Sequence, residues 1–302
     1  MPYFTSPVDS TTLYYKYYRP GATAFRPLDQ PASPLALVFL HGWPMSSDMF
    51  EHLLVPLCET YRLRIVAPDR RGFGKSDWSS AATVSIDYDV FVADLVALLE
   101  HLDIGPFVFV GASMGCPESV LAYLQSRFVQ ERCQGFMWLG PNMPFPLQSP
   151  EHPLSPSADV WDAILDGLRG DKAQYVSDAL PGIFALQAGN ELSAKTLERF
   201  ERLVHEADGV ALERTAKIIQ RDTGDELRRL GEGKQLPIRI LHGSADQGMP
   251  LEASAALVKE MLPWSELKVY ENAGHGLYLT HAKQVLDDIV EFVQSIPRGG
   301  QK

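Results

Sequence analysis

The 302 residues are 45% hydrophobic and 22% charged, with three cysteines and a formal charge of −11 at pH 7. That length buries a large core in one sizeable domain, or in a domain carrying an insertion. The acidic balance argues against a nucleic-acid or anionic-membrane partner, since both need clustered Lys and Arg, and the separated Cys58, Cys116 and Cys133 indicate neither a disulfide framework nor a zinc site.

Met1 to Thr12 carries no basic start and no apolar run, and no stretch approaches a membrane span, so the expected setting is a soluble, reducing, cytoplasmic one. Leu13 to Tyr18 alternates loosely and predicts an early strand or hairpin partner, followed by a loop from Pro20 to Pro34. Leu35 to Leu40 is a continuous apolar run, the mark of a strand buried on both faces, and it ends in His41-Gly42-Trp43-Pro44. Ser47 or Asp48 is expected to cap a helix carrying Met49, Phe50, Leu53 and Leu54. A second strand, Leu63 to Ala67, leads into Pro68 to Asp77. The spacing of Phe91, Leu95, Leu98, Leu99 and Leu102 then predicts an amphipathic helix closed by Gly105.

Phe107 to Val110 reads as a buried strand running straight into Gly111-Ala112-Ser113-Met114-Gly115, with apolar residues at helical spacing from Glu118 to Leu124 behind it. Glu118 is expected to face solvent or to support the loop. Gly135 to Leu139 is a further short strand. Alternating strands and helices imply a parallel sheet with helices on both faces. The pattern breaks at a proline-dense stretch, Pro141 to Pro156, after which Ala158 to about Arg229 is helical in period throughout. Strands resume at Leu236 to Leu241 and Glu266 to Tyr270. Helices are expected over Leu251 to Leu262 and His281 to Ile296.

The chemistry sits after strands. Gly-x-Ser-x-Gly between a strand and a helix is the context of a nucleophile elbow, in which the flanking glycines remove Cβ atoms that would collide with a strained serine. Ser113, Asp246 and His275 each follow a different predicted strand, so a parallel sheet brings them to one edge. A serine hydroxyl needs a base, an imidazole can take and return its proton, and a carboxylate fixes the imidazole tautomer. Asp246 is favoured as that carboxylate because the loop after Gly135–Leu139 reads Gly140-Pro141-Asn142 and offers none; its alternative role is a helix N-cap. The backbone N–H groups of Met114 and Trp43 are the expected oxyanion donors, with Gly42 letting the chain turn. Cys116 is expected to be a small buried filler. Gly74-Lys75-Ser76 lacks the first glycine of a phosphate loop, and His205-Glu206 lacks the second histidine of a zinc helix. No metal and no cofactor are therefore expected.

Taken together, His-Gly-Trp-Pro at 41–44, Asp-Arg-Arg-Gly-Phe-Gly-Lys-Ser at 69–76, Gly-Ala-Ser-Met-Gly at 111–115, His-Gly-Ser-Ala-Asp at 242–246 and Ala-Gly-His-Gly at 273–276 resemble the α/β-hydrolase superfamily. The Asp-Arg-Arg-Gly element looks like the branch of esterases and cofactor-free haloperoxidases. The His-Gly-Trp-Pro element is also similar to epoxide hydrolases and dehalogenases, but those carry an aspartate at the elbow where this chain has Ser113. The resemblance implies an α/β-hydrolase fold, a mostly parallel sheet flanked by helices, with a core over 1–142 and 232–302 and a helical cap over 143–231. It implies a serine hydrolase that forms an acyl-enzyme on an ester or lactone. The rival readings are carbon–carbon bond hydrolysis or a lyase using the same three groups, and a non-catalytic small-molecule receptor. Trp161, Tyr175, Ile183 and Phe184 from the insertion, with Trp43, Met114 and Trp138 from the core, predict an apolar pocket for a small molecule. Oligomeric state is not legible.

Overall fold

The computed structural model describes residues 2–21, 33–79 and 85–297. Most of the loop expected over Pro20–Pro34 lies outside the described residues. Eight strands, β1 (Tyr3–Thr5), β2 (Thr12–Tyr18), β3 (Ala36–Leu40), β4 (Arg64–Pro68), β5 (Phe107–Ala112), β6 (Cys133–Leu139), β7 (Ile238–Gly243) and β8 (Glu266–Tyr270), form one sheet in the order 1-2-4-3-5-6-7-8. β1 and β2 form an antiparallel hairpin at one edge, and every pair from β4 to β8 is parallel. The hairpin partner β1, only three residues long, carried too little pattern to be expected from sequence.

Parallel pairing buries both faces, and the continuous apolar runs follow from it. All five residues of β3 are at most 1% exposed. Val38, Leu40, Phe107, Phe109, Phe136 and Trp138 face one layer with the helices Tyr88–His101 and Gly115–Gln125. Leu37, Phe39, Val108, Val110 and Leu139 face the other, with Glu51–Glu59 and Ala282–Ser295. Each fully buried aliphatic or aromatic side chain contributes about 1.5–3 kcal/mol.

Helix starts follow local polar groups. Asp87 caps Tyr88–His101 by accepting from the N–H groups of Asp89 and Val90. Ser46, rather than Ser47 or Asp48, caps the turn Ser47–Phe50 that precedes Glu51–Glu59; Ser47 N–H is held instead by the Asp69 carboxylate. The chain leaves Tyr88–His101 through Asp103 at φ +43°, not through Gly105.

Strand order reverses across β3, with β4 on one side and β5 on the other, so adjacent connections diverge and leave a crevice at the C-terminal ends. Register makes those ends meet. Leu40 pairs with Gly111, Ala112 with Leu139, and Leu139 with Leu241. The loops carrying His41–Pro44, Ser113, Gly140–Asn142, Asp246 and His275 therefore share one edge. Between β6 and β7 the chain forms the helices Ala158–Arg169, Lys172–Ile183, Ala194–His205, Gly209–Ile218 and Gly224–Glu232.

Candidate active site

Ser113 occupies the turn between β5 and Gly115–Gln125 at φ +51°, a left-handed conformation that costs an L-residue about 1–2 kcal/mol. The surroundings hold it there. Its N–H donates to Leu139 O at 3.0 Å, and its carbonyl accepts from Cys116 N–H at 3.0 Å. The flanking glycines are required by space. A Cβ on Gly111 would lie 2.7 Å from the Gly115 carbonyl group, and one on Gly115 would collide with the Leu40 carbonyl oxygen.

The loop after β3 comes equally close, since a Cβ on Gly42 would lie 3.2 Å from that of Ser113. The N–H groups of Trp43 and Met114 have no hydrogen-bond partner among the described residues, whereas Gly42 N–H is turned onto Met49 Sδ (3.4 Å) and Met45 N–H onto Gly42 O (3.0 Å). Two unengaged donors beside a strained serine are the arrangement an oxyanion requires.

A buried cluster supports this loop from below. The Arg70 guanidinium donates twice to His41 O (3.1 and 3.0 Å) and through Nε to the Glu118 carboxylate (3.0 Å). Arg70 N–H donates to His41 Nε2 at 2.9 Å, which leaves the ring proton on Nδ1 facing Gly42 O. Burial drives the His41 pKa well below its ordinary value, and the Arg70 charge acts in the same direction. Burial pushes the Glu118 carboxyl up, with Arg70 pulling it back. Glu118 is 3% exposed, so of the two expected roles the structure gives it the supporting one.

His275 and Asp246 form a direct pair, with Nδ1 2.7 Å from Oδ2. The other carboxylate oxygen accepts from the N–H groups of Gly248 and Met249, both at 2.9 Å, so Asp246 is fixed from two sides and does not cap the following helix. Burial opposes charge on both groups. For His275 the Asp246 carboxylate outweighs burial and raises the pKa above its ordinary value; for Asp246 the facing histidines and backbone donors hold the carboxyl below the usual range. His242, fully buried on β7, donates from Nε2 to Met249 O at 2.9 Å and lies 3.5 Å from Asp246 Oδ2. Its pKa is pulled down by burial, so it acts as a neutral brace for the loop that holds Asp246. Gly140 sits at φ +52°, a conformation that favours glycine, and a Cβ there would press on His275 Nδ1 at 3.2 Å.

Two cavities, of about 130 and 250 Å³, both reach Ser113 and His275. Trp43, Pro44, Ile164 and Ile183 also border both. Tyr175 lines the inner, smaller one and Trp161 the outer. Two expected pocket residues are elsewhere. Trp138 is fully buried in the core, tilted against Phe136, with its indole N–H on Ser119 Oγ at 3.0 Å; it borders neither cavity. Phe184 is also fully buried, edge-on to Phe200 and packed on Gly276, so it supports the His275 loop instead of facing the site. The Met114 side chain points inward to Arg70 (Sδ 3.4 Å), leaving only its backbone at the site. Met45, Met49, Leu180, Val204 and Tyr278 line the inner cavity and were not foreseen. Cys116 is buried with its thiol on Gly111 O, and burial pushes its pKa well up. Among the described residues, no three His, Cys, Asp or Glu side chains are grouped to hold a metal, and no helix is long and apolar enough to cross a membrane.

A family model described as alpha/beta hydrolase fold matches residues 36–282. The non-heme chloroperoxidase of Streptomyces lividans is 29% identical over 291 residues, 95% of this chain and 98% of that protein. The bifunctional esterase/perhydrolase of Acinetobacter calcoaceticus is 27% identical over 293 residues, again 95% and 98%. The solved structure of an esterase from Exiguobacterium antarcticum is similar at a TM-score of 0.84 and 25% identity, covering 98% of this chain and 100% of that one. The matched region holds both parts of the sheet edge that carries Ser113, Asp246 and His275, and the chain belongs to the α/β-hydrolase fold family.

Proposed function

We propose that this hydrolase cleaves the ester or lactone bond of a small, largely apolar molecule, with Ser113 as nucleophile, His275 as general base and acid, and Asp246 as the orienting carboxylate. The observation that carries this is the His275–Asp246 pair at 2.7 Å, sharing a cavity with a strained serine and two unengaged N–H groups. Ser113 Oγ attacks the carbonyl carbon and its proton passes to His275 Nε2. Asp246 fixes the proton of the other ring nitrogen and stabilises the imidazolium. The developing oxyanion meets the N–H groups of Trp43 and Met114, each such donor being worth about 2.7–4 kcal/mol. The imidazolium gives its proton to the leaving oxygen, the C–O bond breaks, and an acyl-enzyme remains. Water then attacks, loses its proton to His275, and releases the acid and Ser113.

The division into a core over 1–142 and 232–302 and a cap over 143–231 belongs to the same proposal. It is supported by Ile164, Tyr175, Leu180 and Ile183 from the helices between β6 and β7, which wall the cavity opposite Ser113. A cap of this kind admits small molecules and excludes polymers.

The test is a panel of p-nitrophenyl esters and lactones assayed with the protein and with Ser113→Ala. Turnover of the smaller apolar members, lost by at least ~10³-fold in the variant, is the expected result. Binding without turnover, and without covalent labelling by a fluorophosphonate, would instead indicate a receptor.

A further inference from the structure

A backbone donor stabilises a developing oxyanion best when its peptide is oriented beforehand. The Gly42–Trp43 peptide is trans, so its C=O and N–H point in opposite directions and whatever binds Gly42 O also aims the Trp43 N–H. That oxygen accepts twice, from Met45 N–H at 3.0 Å and from the His41 ring through Nδ1 at 3.0 Å. A carbonyl that accepts hydrogen bonds polarises its peptide, which strengthens the N–H on the far side as a donor. The Ser113–Met114 peptide is built alike, with Ser113 O accepting from Cys116 N–H at 3.0 Å and from Asn142 N–H at 3.3 Å. There both bonds come from backbone. On the Trp43 side one of the two comes from a side chain.

His41 can donate to Gly42 O from one tautomer alone, and its surroundings select that tautomer. Arg70 N–H donates to Nε2 at 2.9 Å, so this nitrogen keeps its lone pair and the neutral ring carries its proton on Nδ1. A second proton would place a cation in a dry site beside the Arg70 guanidinium, whose Nη1 lies 3.3 Å from Nδ1. The same guanidinium donates to His41 O and is tied to Glu118, so the ring and the backbone of His41 are both held by one arginine. His41 itself borders neither cavity at Ser113. We propose that His41 is a positioning residue for the oxyanion site: its Nδ1–H, kept in that tautomer by Arg70 N–H, aims and polarises the peptide whose N–H meets the developing charge. This rests on the ester-hydrolysis proposal above, and adds to it the side chain that sets the strength of one donor.

The experiment compares His41→Phe, which keeps a flat ring against Phe73 but has no donor, with His41→Asn, whose amide N–H can take the place of Nδ1–H. Each is read as kcat and KM on p-nitrophenyl butyrate, and as Ki for 1,1,1-trifluorohexan-2-one, whose adduct with Ser113 carries an oxyanion. His41→Phe should lower kcat at least ~10-fold, short of the ~10²–10³ of losing a donor outright, with KM within ~twofold. Ki should weaken by a similar factor, and His41→Asn should recover most of both losses. In the unaltered protein, nitrogen NMR of the imidazole rings should show His41 protonated on Nδ1 at neutral pH, a readout that does not require the variants to fold. A folded His41→Phe protein with kcat within ~twofold of the unaltered one would overturn the proposal. Equal losses in both variants, a loss confined to KM, or a His41 proton on Nε2 would overturn it too, and each leaves the hydrolase reading standing. No turnover of any ester, with no phosphonylation of Ser113, would instead remove that reading and the role of His41 with it.

Discussion

Replacing Asp246 with asparagine should disable the site through hydrogen-bond direction alone. Oδ1 accepts two backbone N–H groups, from Gly248 and Met249, and Oδ2 faces His275 Nδ1. An asparagine keeps both backbone donors satisfied only if its carbonyl oxygen takes the Oδ1 position. The opposite orientation sets an NH₂ against two buried N–H groups, at a cost of roughly 1–3 kcal/mol for each unsatisfied donor. The amide NH₂ must then face His275 Nδ1, which becomes an acceptor, and the ring proton moves to Nε2. In that tautomer His275 cannot take the proton of Ser113. The corresponding change in a serine protease lowers kcat about 10⁴-fold, equivalent to about 5.4 kcal/mol of transition-state stabilisation, and a loss of that order is expected here. The assay is kcat on p-nitrophenyl butyrate, with thermal unfolding to establish that the variant is folded. A folded Asp246→Asn protein retaining activity within tenfold would mean that another group orients His275.

Ser113→Ala and His275→Ala should each cost at least ~10³-fold in kcat, and the double variant little more, because the groups act as one unit; independent, multiplying losses would refute the assignment. The carboxylate of Asp246 outweighs burial and raises the His275 pKa above its ordinary value near 6.5, and the ring must be neutral to act as base. kcat/KM should therefore fall as pH drops through an apparent pKa above that value, and a profile flat to well below it would contradict the pairing. Arg71, fully buried, is held by Asp94, Asp9, Ser6 and Thr11; Arg71→Leu leaves buried carboxylates uncompensated and should cost about 3–5 kcal/mol in urea unfolding, with a loss under ~1 kcal/mol counting against a structural role. The proposed steps use side chains, backbone N–H groups and water, so activity should survive dialysis against a strong chelator; a loss restored by one particular metal would refute this.

The elbow was legible because its backbone dictates residue types. Only glycine fits at 111 and 115, and the motif between a strand and a helix follows. Asp246 and His275 were legible because parallel strands end together, so residues far apart in sequence share an edge. The pocket walls were not legible in the same way. Trp138 was chosen for its size, but β6 alternates, and position 138 points with Phe136 into the layer beneath the elbow helix, while Leu139 reaches the cavity. Phe184 follows the end of Lys172–Ile183, where Ala185 at φ +48° turns the chain and carries the ring under the His275 loop. The partner of Glu118 was invisible for another reason. Arg70 is 48 residues from Glu118, and no periodicity encodes a buried ion pair at that separation.

The helices between β6 and β7 do more than cover the site, because they are bonded to the loops that perform the proposed chemistry. Trp43 Nε1–H donates to Leu212 O at 3.1 Å, and Asp208 N–H donates to Gly72 O at 2.8 Å. Gly276 N–H donates to Ile183 O at 2.9 Å, and the Asn142 amide donates to Ile219 O at 2.7 Å. Lifting the proposed cap as a body would break all of these, at roughly 0.5–1.5 kcal/mol each, and would also expose the buried apolar walls. In this structure the helices lie closed over the cavities, and the exposed Leu154 and Val160 stand at the rim of the larger one. Trp43 is the residue on which this converges. Its indole is held by the proposed cap, the residue borders both cavities, and its backbone N–H is the proposed oxyanion donor. Under the proposed mechanism, what fills the cavities touches the same residue whose backbone N–H donates to the oxyanion, so substrate shape and rate would be coupled through Trp43.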